Sequence, residues 1–236
     1  PELAADGEFQ LDAAIDPAVA AKKVGRESDV AGRANVLVFP DLNAANIAVK
    51  LIQRFAKGAA YGHTLNGFKR PVADSSRGAT VEEINTALKN EFARLDEYRA
   101  NGINTILVQL SASEYTGQIV VPALPEGFRD DNFTVRFEGT RSNNMNNVTL
   151  HGGICSNSAL LYAANLNFVG AGKDNTNWPE DGDNAGAENA ALYGAGGGSE
   201  GNCVFTGYYY AIKMAGSVRL CGTNNHFKNN HIAWYV

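Results

Sequence analysis

Phe205-Thr-Gly-Tyr-Tyr-Tyr-Ala-Ile-Lys-Met214 returns 22 residues later as Phe227-Lys-Asn-Asn-His-Ile-Ala-Trp-Tyr-Val236. Phenylalanine and alanine recur identically, and the pairs Ile212/Trp234 and Met214/Val236 stay apolar. Phe168 stands 37 residues before Phe205, and setting aside a polar insert at residues 173–188 leaves 21. A period of 21–22 residues built of short strands suits a stacked solenoid, in which each turn buries its apolar side against the next. Leucine-rich repeats share that period, but their Leu and Asn signature is absent. A right-handed parallel β-helix over residues 102–236 fits better.

The surrounding sequence has the same texture. Short β-prone runs occur at residues 105–110, 118–121, 134–137, 147–150, 160–162 and 166–169, separated by Gly and Asn as turns with positive φ require. Before them lies the strongest local helix signal. Thr80 and Glu83 have capping-box spacing, Val81, Ile84, Leu88, Phe92 and Leu95 share one helical face, and Gly102 offers a stop. Residues 81–101 therefore read as a bridging helix.

Upstream the composition changes. Residues 1–88 hold 7 of the 25 glycines and 5 asparagines, against 18 glycines and 20 asparagines afterwards, which marks a change of architecture. Phe9-Gln-Leu-Asp-Ala-Ala-Ile15 alternates like a strand, and the stretch from Pro17 to Lys23 is helix-prone with proline in its first turn. Ala34-Asn-Val-Leu-Val-Phe39 reads as a buried strand stopped by Pro40. Asp41 then caps a helix carrying Leu42, Ile47, Leu51 and Phe55. Strand–helix–strand–helix predicts an α/β segment with a partial three-layer parallel sheet over residues 1–80.

These residues resemble the C-terminal part of the phosphate acetyl/butyryltransferase family. The matching stretches are Gly7-Glu-Phe-Gln-Leu-Asp-Ala-Ala-Ile15, Val19-Ala-Ala-Lys-Lys23, Ala34-Asn-Val-Leu-Val-Phe-Pro-Asp-Leu-Asn-Ala-Ala-Asn-Ile47, Lys50-Leu-Ile-Gln-Arg54, Arg70-Pro-Val-Ala-Asp-Ser-Ser-Arg-Gly78 and Val81-Glu-Glu-Ile84. They follow the family's order and spacing up to about residue 84. The resemblance implies acetyl transfer between coenzyme A and inorganic phosphate, with acetyl-CoA as substrate and no bound cofactor. It implies that Ser76 and Arg77 sit at the cleft, contacting the thioester and the anionic substrate. It also puts Glu83 where the family carries an acidic residue, usually Asp, that deprotonates the coenzyme A thiol. The chemistry is coherent, since a thiol needs a base to attack an acyl phosphate and phosphate suits a bidentate guanidinium. The pattern departs from the family in two ways: basic residues of a preceding domain are missing, and the match stops abruptly after Ile84.

Residues from about 100 to 236 resemble the parallel β-helix repeats of large secreted or surface proteins of bacteria. Two functions therefore stand side by side, acyl transfer in the cytoplasm and a non-catalytic surface or carbohydrate-binding module outside the cell. Other motifs are weaker. Gly197-Gly-Ser-Glu-Gly201 fits a nucleophile elbow but lacks the strand–turn–helix setting and a later acid, and reads as a flexible turn. Cys203, Cys221, His226 and His231 lack zinc-site spacing, so no metal is expected there. Asp174, Glu180, Asp181, Asp183 and Glu188 offer carboxylates of the kind calcium takes, but read as a solvated acidic loop. Tyr208, Tyr209 and Tyr210 suit core packing better than sugar stacking.

Composition excludes more than it identifies. The formal charge of −5 and pI near 5.4 give no field for nucleic acid, and no apolar run reaches the roughly 18 residues of a membrane span. Three cysteines do not make a disulfide framework. The chain opens at Pro1 without methionine or signal-like segment and reads as a piece of something longer. An open sheet end and half a cleft predict self-association.

Overall fold

Short polar caps and alanine-rich turns organise the first 60 residues. The computed structural model describes residues 3–58, 63–65, 72–74, 78–128, 133–156, 158–172, 189–216, 218–220 and 224–236. The chain divides into two compact units, Pro1–Ala60 and Tyr61–Val236. In the first, α1 (Leu11–Ile15) and α2 (Pro17–Lys23) meet at Asp16, whose carboxylate accepts from the Ala18 and Val19 amides at 2.7 and 3.2 Å. Ala13, Ala14 and Ala20 are buried between them, and a turn at Gly32 returns amide hydrogen bonds to α1. Asp41 caps α3 (Leu42–Phe55) as expected.

Two expected strands do not form. Residues 11–15 are helical, because Ala13 and Ala14 have the highest helix propensity, Asp12 suits the first turn, and four alternating residues are a weak strand signal. Residues 34–39 are not a strand, and Val36 and Val38 stand 75% and 93% exposed. A parallel strand is held only by hydrogen bonds to neighbours, and residues 3–58 contain no strand to supply them. Among the described residues, the parallel-sheet layer expected of residues 1–80 is therefore not observed.

The second unit is α/β, with several parallel sheets and few helices. A short antiparallel pair, β1 (His63–Leu65) with β2 (Val72–Asp74), precedes two helices, α4 (Val81–Phe92) and α5 (Leu95–Ala100). The predicted single helix is broken at Ala93–Arg94, but its apolar face is intact: Val81, Ile84, Leu88, Phe92, Leu95 and Tyr98 are all buried.

Three five-stranded parallel sheets follow. The first contains β3 (Thr105–Leu110), β6 (Thr134–Gly139), β11 (Leu160–Ala164), β14 (Gly197–Gly201) and β17 (Val218–Leu220). The second contains β4 (Glu114–Thr116), β9 (Thr149–His151), β12 (Asn167–Val169), β15 (Val204–Thr206) and β18 (His226–Lys228). The third contains β5 (Ile119–Val121), β10 (Ile154–Ser156), β13 (Ala190–Gly194), β16 (Tyr210–Met214) and β19 (Ile232–Tyr235). Among the described residues the chain visits them in fixed rotation, interrupted only by a hairpin of β7 (Arg141–Ser142) and β8 (Met145–Asn146).

Registers stack like on like. Phe168 pairs with Phe205 and Phe205 with Phe227, while Ile154, Leu192, Ile212 and Trp234 form a second column. The 22-residue repeat is thus a strand register. Asn165, Asn202 and Asn224 turn the chain at φ of 58, 56 and 67°, a left-handed conformation that Asn tolerates. Their side chains bond in series: Asn202 Nδ2 donates to Asn165 Oδ1 at 3.0 Å and Asn224 Nδ2 to Asn202 Oδ1 at 3.3 Å. Gly197-Gly-Ser-Glu-Gly201 is strand β14 rather than a flexible turn. Gly197 has φ +125°, and a Cβ there would lie 1.7 Å from the Leu161 carbonyl oxygen, so only glycine fits.

Candidate functional site

The candidate site lies around the start of α4. Ser76 and Arg77 fall outside the described residues. Glu83 is described, and its carboxylate is engaged locally. The Thr80 amide donates to Glu83 Oε2 at 2.8 Å, and the Glu83 amide donates to Thr80 Oγ1 at 3.2 Å. This reciprocal box satisfies two of the amides left open at a helix start. The Glu83 side chain is exposed, with Glu82 beside it in the first turn, where negative charge is favourable to the helix dipole.

The opposite face of α4 holds this start in place. Asn85 donates from Nδ2 to the Gln118 carbonyl at 3.1 Å and accepts from the Val120 amide at 2.7 Å through Oδ1. One amide side chain thereby satisfies a donor on β5, an edge strand of the third sheet, and an acceptor on the residue just before it. Sequence reading passed over Asn85; its one signal is a polar residue at the border of an apolar helical face. At the other end of α4, Tyr98 hydroxyl donates to Glu91 Oε2, and Arg94 lies 3.6 Å from the same oxygen. Burial raises the Glu91 carboxyl above its ordinary value of 4.5, with Arg94 opposing and Glu97 adding to the shift.

The remaining motifs are structural. Ser199 is fully buried and donates from Oγ to Asn225 Oδ1 at 2.7 Å, which leaves no exposed nucleophile. Cys203 and Cys155 are buried, and burial pushes both thiols up, away from reactive thiolate. His226 and His231 are exposed, Cys221 lies outside the described residues, and so do the acidic residues of 173–188. Among the described residues no three His, Cys, Asp or Glu side chains are grouped to hold a metal. Tyr208, Tyr209 and Tyr210 are all buried, and Tyr208 hydroxyl donates to the Gly152 carbonyl. No helix among the described residues is long and apolar enough to cross a membrane.

Residues 1–88 match the family model described as phosphate acetyl/butaryl transferase. The chain is 60% identical over 84 residues to the phosphate acetyltransferases of Acetivibrio thermocellus and Clostridium acetobutylicum, covering 36% of this chain and 25% of each relative. Against the phosphate acetyltransferase of Helicobacter pylori the identity is 55% over 89 residues, 37% of this chain and 17% of the relative. No solved structure matches the chain. The chain thus spans a quarter or less of the length of these curated relatives, and the family model's match ends at residue 88.

Proposed function

We propose that residues 1–88 serve acyl transfer between acetyl-CoA and inorganic phosphate, in the cytoplasm where coenzyme A is found. The observation that carries this reading is 60% identity over 84 residues to named phosphate acetyltransferases. In the direction of acetyl-CoA formation, Glu83 accepts the proton of the coenzyme A thiol. The thiolate attacks the carbonyl carbon of acetyl phosphate, the bond from that carbon to the bridging oxygen breaks, and phosphate leaves with the electron pair. Arg77 neutralises the phosphate through paired hydrogen bonds, and Ser76 contacts the acyl group. Glu83 takes this part through Oε1 while Oε2 keeps the cap. We further read the three sheets as a right-handed parallel β-helix over residues 102–236, joined to the transferase-like residues 1–80 by residues 81–101.

Thiol release from acetyl-CoA in the presence of phosphate, with Arg77→Ala beside the parent, tests the activity. Removal of one charge-stabilising group costs on the order of a hundredfold in rate. Release that Arg77→Ala leaves untouched sinks the assignment. A second reading is a non-catalytic surface module, favoured because the three sheets span residues 105–235, outside the transferase-like residues 1–88. Persistent absence of thiol release, together with retention on an immobilised polysaccharide, would favour that module.

A further inference from the structure

Successive side chains of a strand point to opposite faces of its sheet. In the third sheet Ile154, Leu192 and Ile212 pair in register and are fully buried in the interior core. The residues just after them form an outer column, Cys155–Tyr193–Lys213–Tyr235, with Val120 of β5 paired to Cys155. The same side carries a second apolar cluster, separate from the interior one: Ala190, Tyr209 and Tyr210, with Tyr193 and Ile232 packed against it. The Tyr210 ring meets those of Tyr209 and Tyr235 at centroid distances of 4.9 and 5.3 Å. Lys213 Nζ stands 4.8 Å from the Tyr210 centroid and 5.4 Å from that of Tyr235. Packed tyrosine rings thus surround one ammonium, and Tyr235 among them is 38% exposed.

Two properties of this face select a ligand. A tyrosine ring is rigid, apolar on its faces and polar at its hydroxyl, so it suits a molecule that alternates C–H faces with hydroxyl groups, as a sugar does. The second property is charge. The chain carries a formal −5, yet the outer column holds an ammonium and no carboxylate. A carboxylate or sulfate on the ligand gains a charge-assisted hydrogen bond from Lys213. Strands lie about 4.8 Å apart, which sets Tyr193 and Tyr235 about 10 Å from each other with Lys213 between them, a span for linked sugars rather than a single one. We propose that the outer face of the third sheet, through Tyr193, Lys213 and Tyr235, binds an extended acidic polysaccharide. The inference rests on the surface-module reading, whose ligand class it names.

The test measures binding of the full chain to immobilised alginate, a polymer of hexuronates, beside neutral dextran and polyglutamate. Retention on alginate alone, weakened by added salt, is the expected result. Tyr235→Ala lowers the affinity at least about tenfold, whereas Tyr235→Phe, which keeps the ring, stays within about twofold of the parent. Lys213→Gln also lowers it at least about tenfold and flattens the salt dependence. His226→Ala, on the second sheet, leaves the affinity unchanged. Circular dichroism matching the parent ties each loss to this face; Tyr235→Phe and the salt series remove no packed ring and decide the matter even where Lys213→Gln unfolds. Retention on dextran instead of alginate, or alginate binding untouched by Tyr235→Ala and Lys213→Gln, overturns the proposal and leaves the surface-module reading standing. Equal retention on polyglutamate overturns it too, since the rings then contribute nothing. Retention on none of the three polymers overturns both.

Discussion

Phe205→Ala tests whether the 22-residue repeat is a packed register. The Phe205 ring is fully buried, with Phe168 and Phe227 each at a centroid distance of 5.1 Å and nearly parallel to it. Truncation removes the transfer free energy of a whole aromatic side chain and opens a cavity, together about 3–5 kcal/mol. Loss of two stacked neighbours pushes toward the upper part of that range. Phe227 belongs to β18, the last strand of its sheet, and is only partly buried, so the cavity relaxes from that side. The expected cost is therefore about 3–4 kcal/mol, a large share of a stability of about 5–15 kcal/mol. Phe227→Ala, at the open end, is expected to cost about 1–2 kcal/mol. Urea titration followed by far-ultraviolet circular dichroism measures both. A Phe205→Ala cost below about 1 kcal/mol, or one no larger than that of Phe227→Ala, refutes the reasoning.

Asn85→Ala leaves the Gln118 carbonyl and the Val120 amide at the β5 edge without their side-chain partner and is expected to cost about 1–3 kcal/mol; a urea midpoint within error of the parent would show that water replaces it freely. Glu91→Gln is expected to make the protein more stable than the parent at pH 8, because burial raises the folded-state carboxyl and folding therefore disfavours its charged form. The stability this group lends is fully present below the unfolded value near 4.5 and is lost as pH rises through the higher folded value, so the advantage of Gln vanishes toward pH 4; thermal midpoints at the two pH values check both sign and trend.

Where local chemistry is sufficient, the amino-acid sequence decided the outcome. Thr80 and Glu83 cap α4 because each side chain reaches a backbone amide within its own turn, whatever surrounds them. Asp41 starts α3 for the same reason, and Asn202 and Asn224 occupy left-handed turns that few other side chains tolerate. The spacing of Phe205 and Phe227 announced their register because a repeated turn puts equivalent residues on the same inner face. The similarity of residues 1–88 to the transferase family was equally readable, since it lies in order and spacing.

Tertiary structure decided the rest, because strands and buried faces are completed by groups far away in the chain. Residues 34–39 have the composition of a buried strand but have no neighbouring strand among residues 3–58, so the side chains of Val36 and Val38 meet solvent. Gly197-Gly-Ser-Glu-Gly201 has the composition of a loop, yet it is a strand, because β11 and β17 supply hydrogen bonds on both sides. Asn85 gained its role only when β5 came within reach of α4. A helical cap draws its partners from its own turn, whereas a sheet or an apolar stripe takes them from whatever the fold brings alongside.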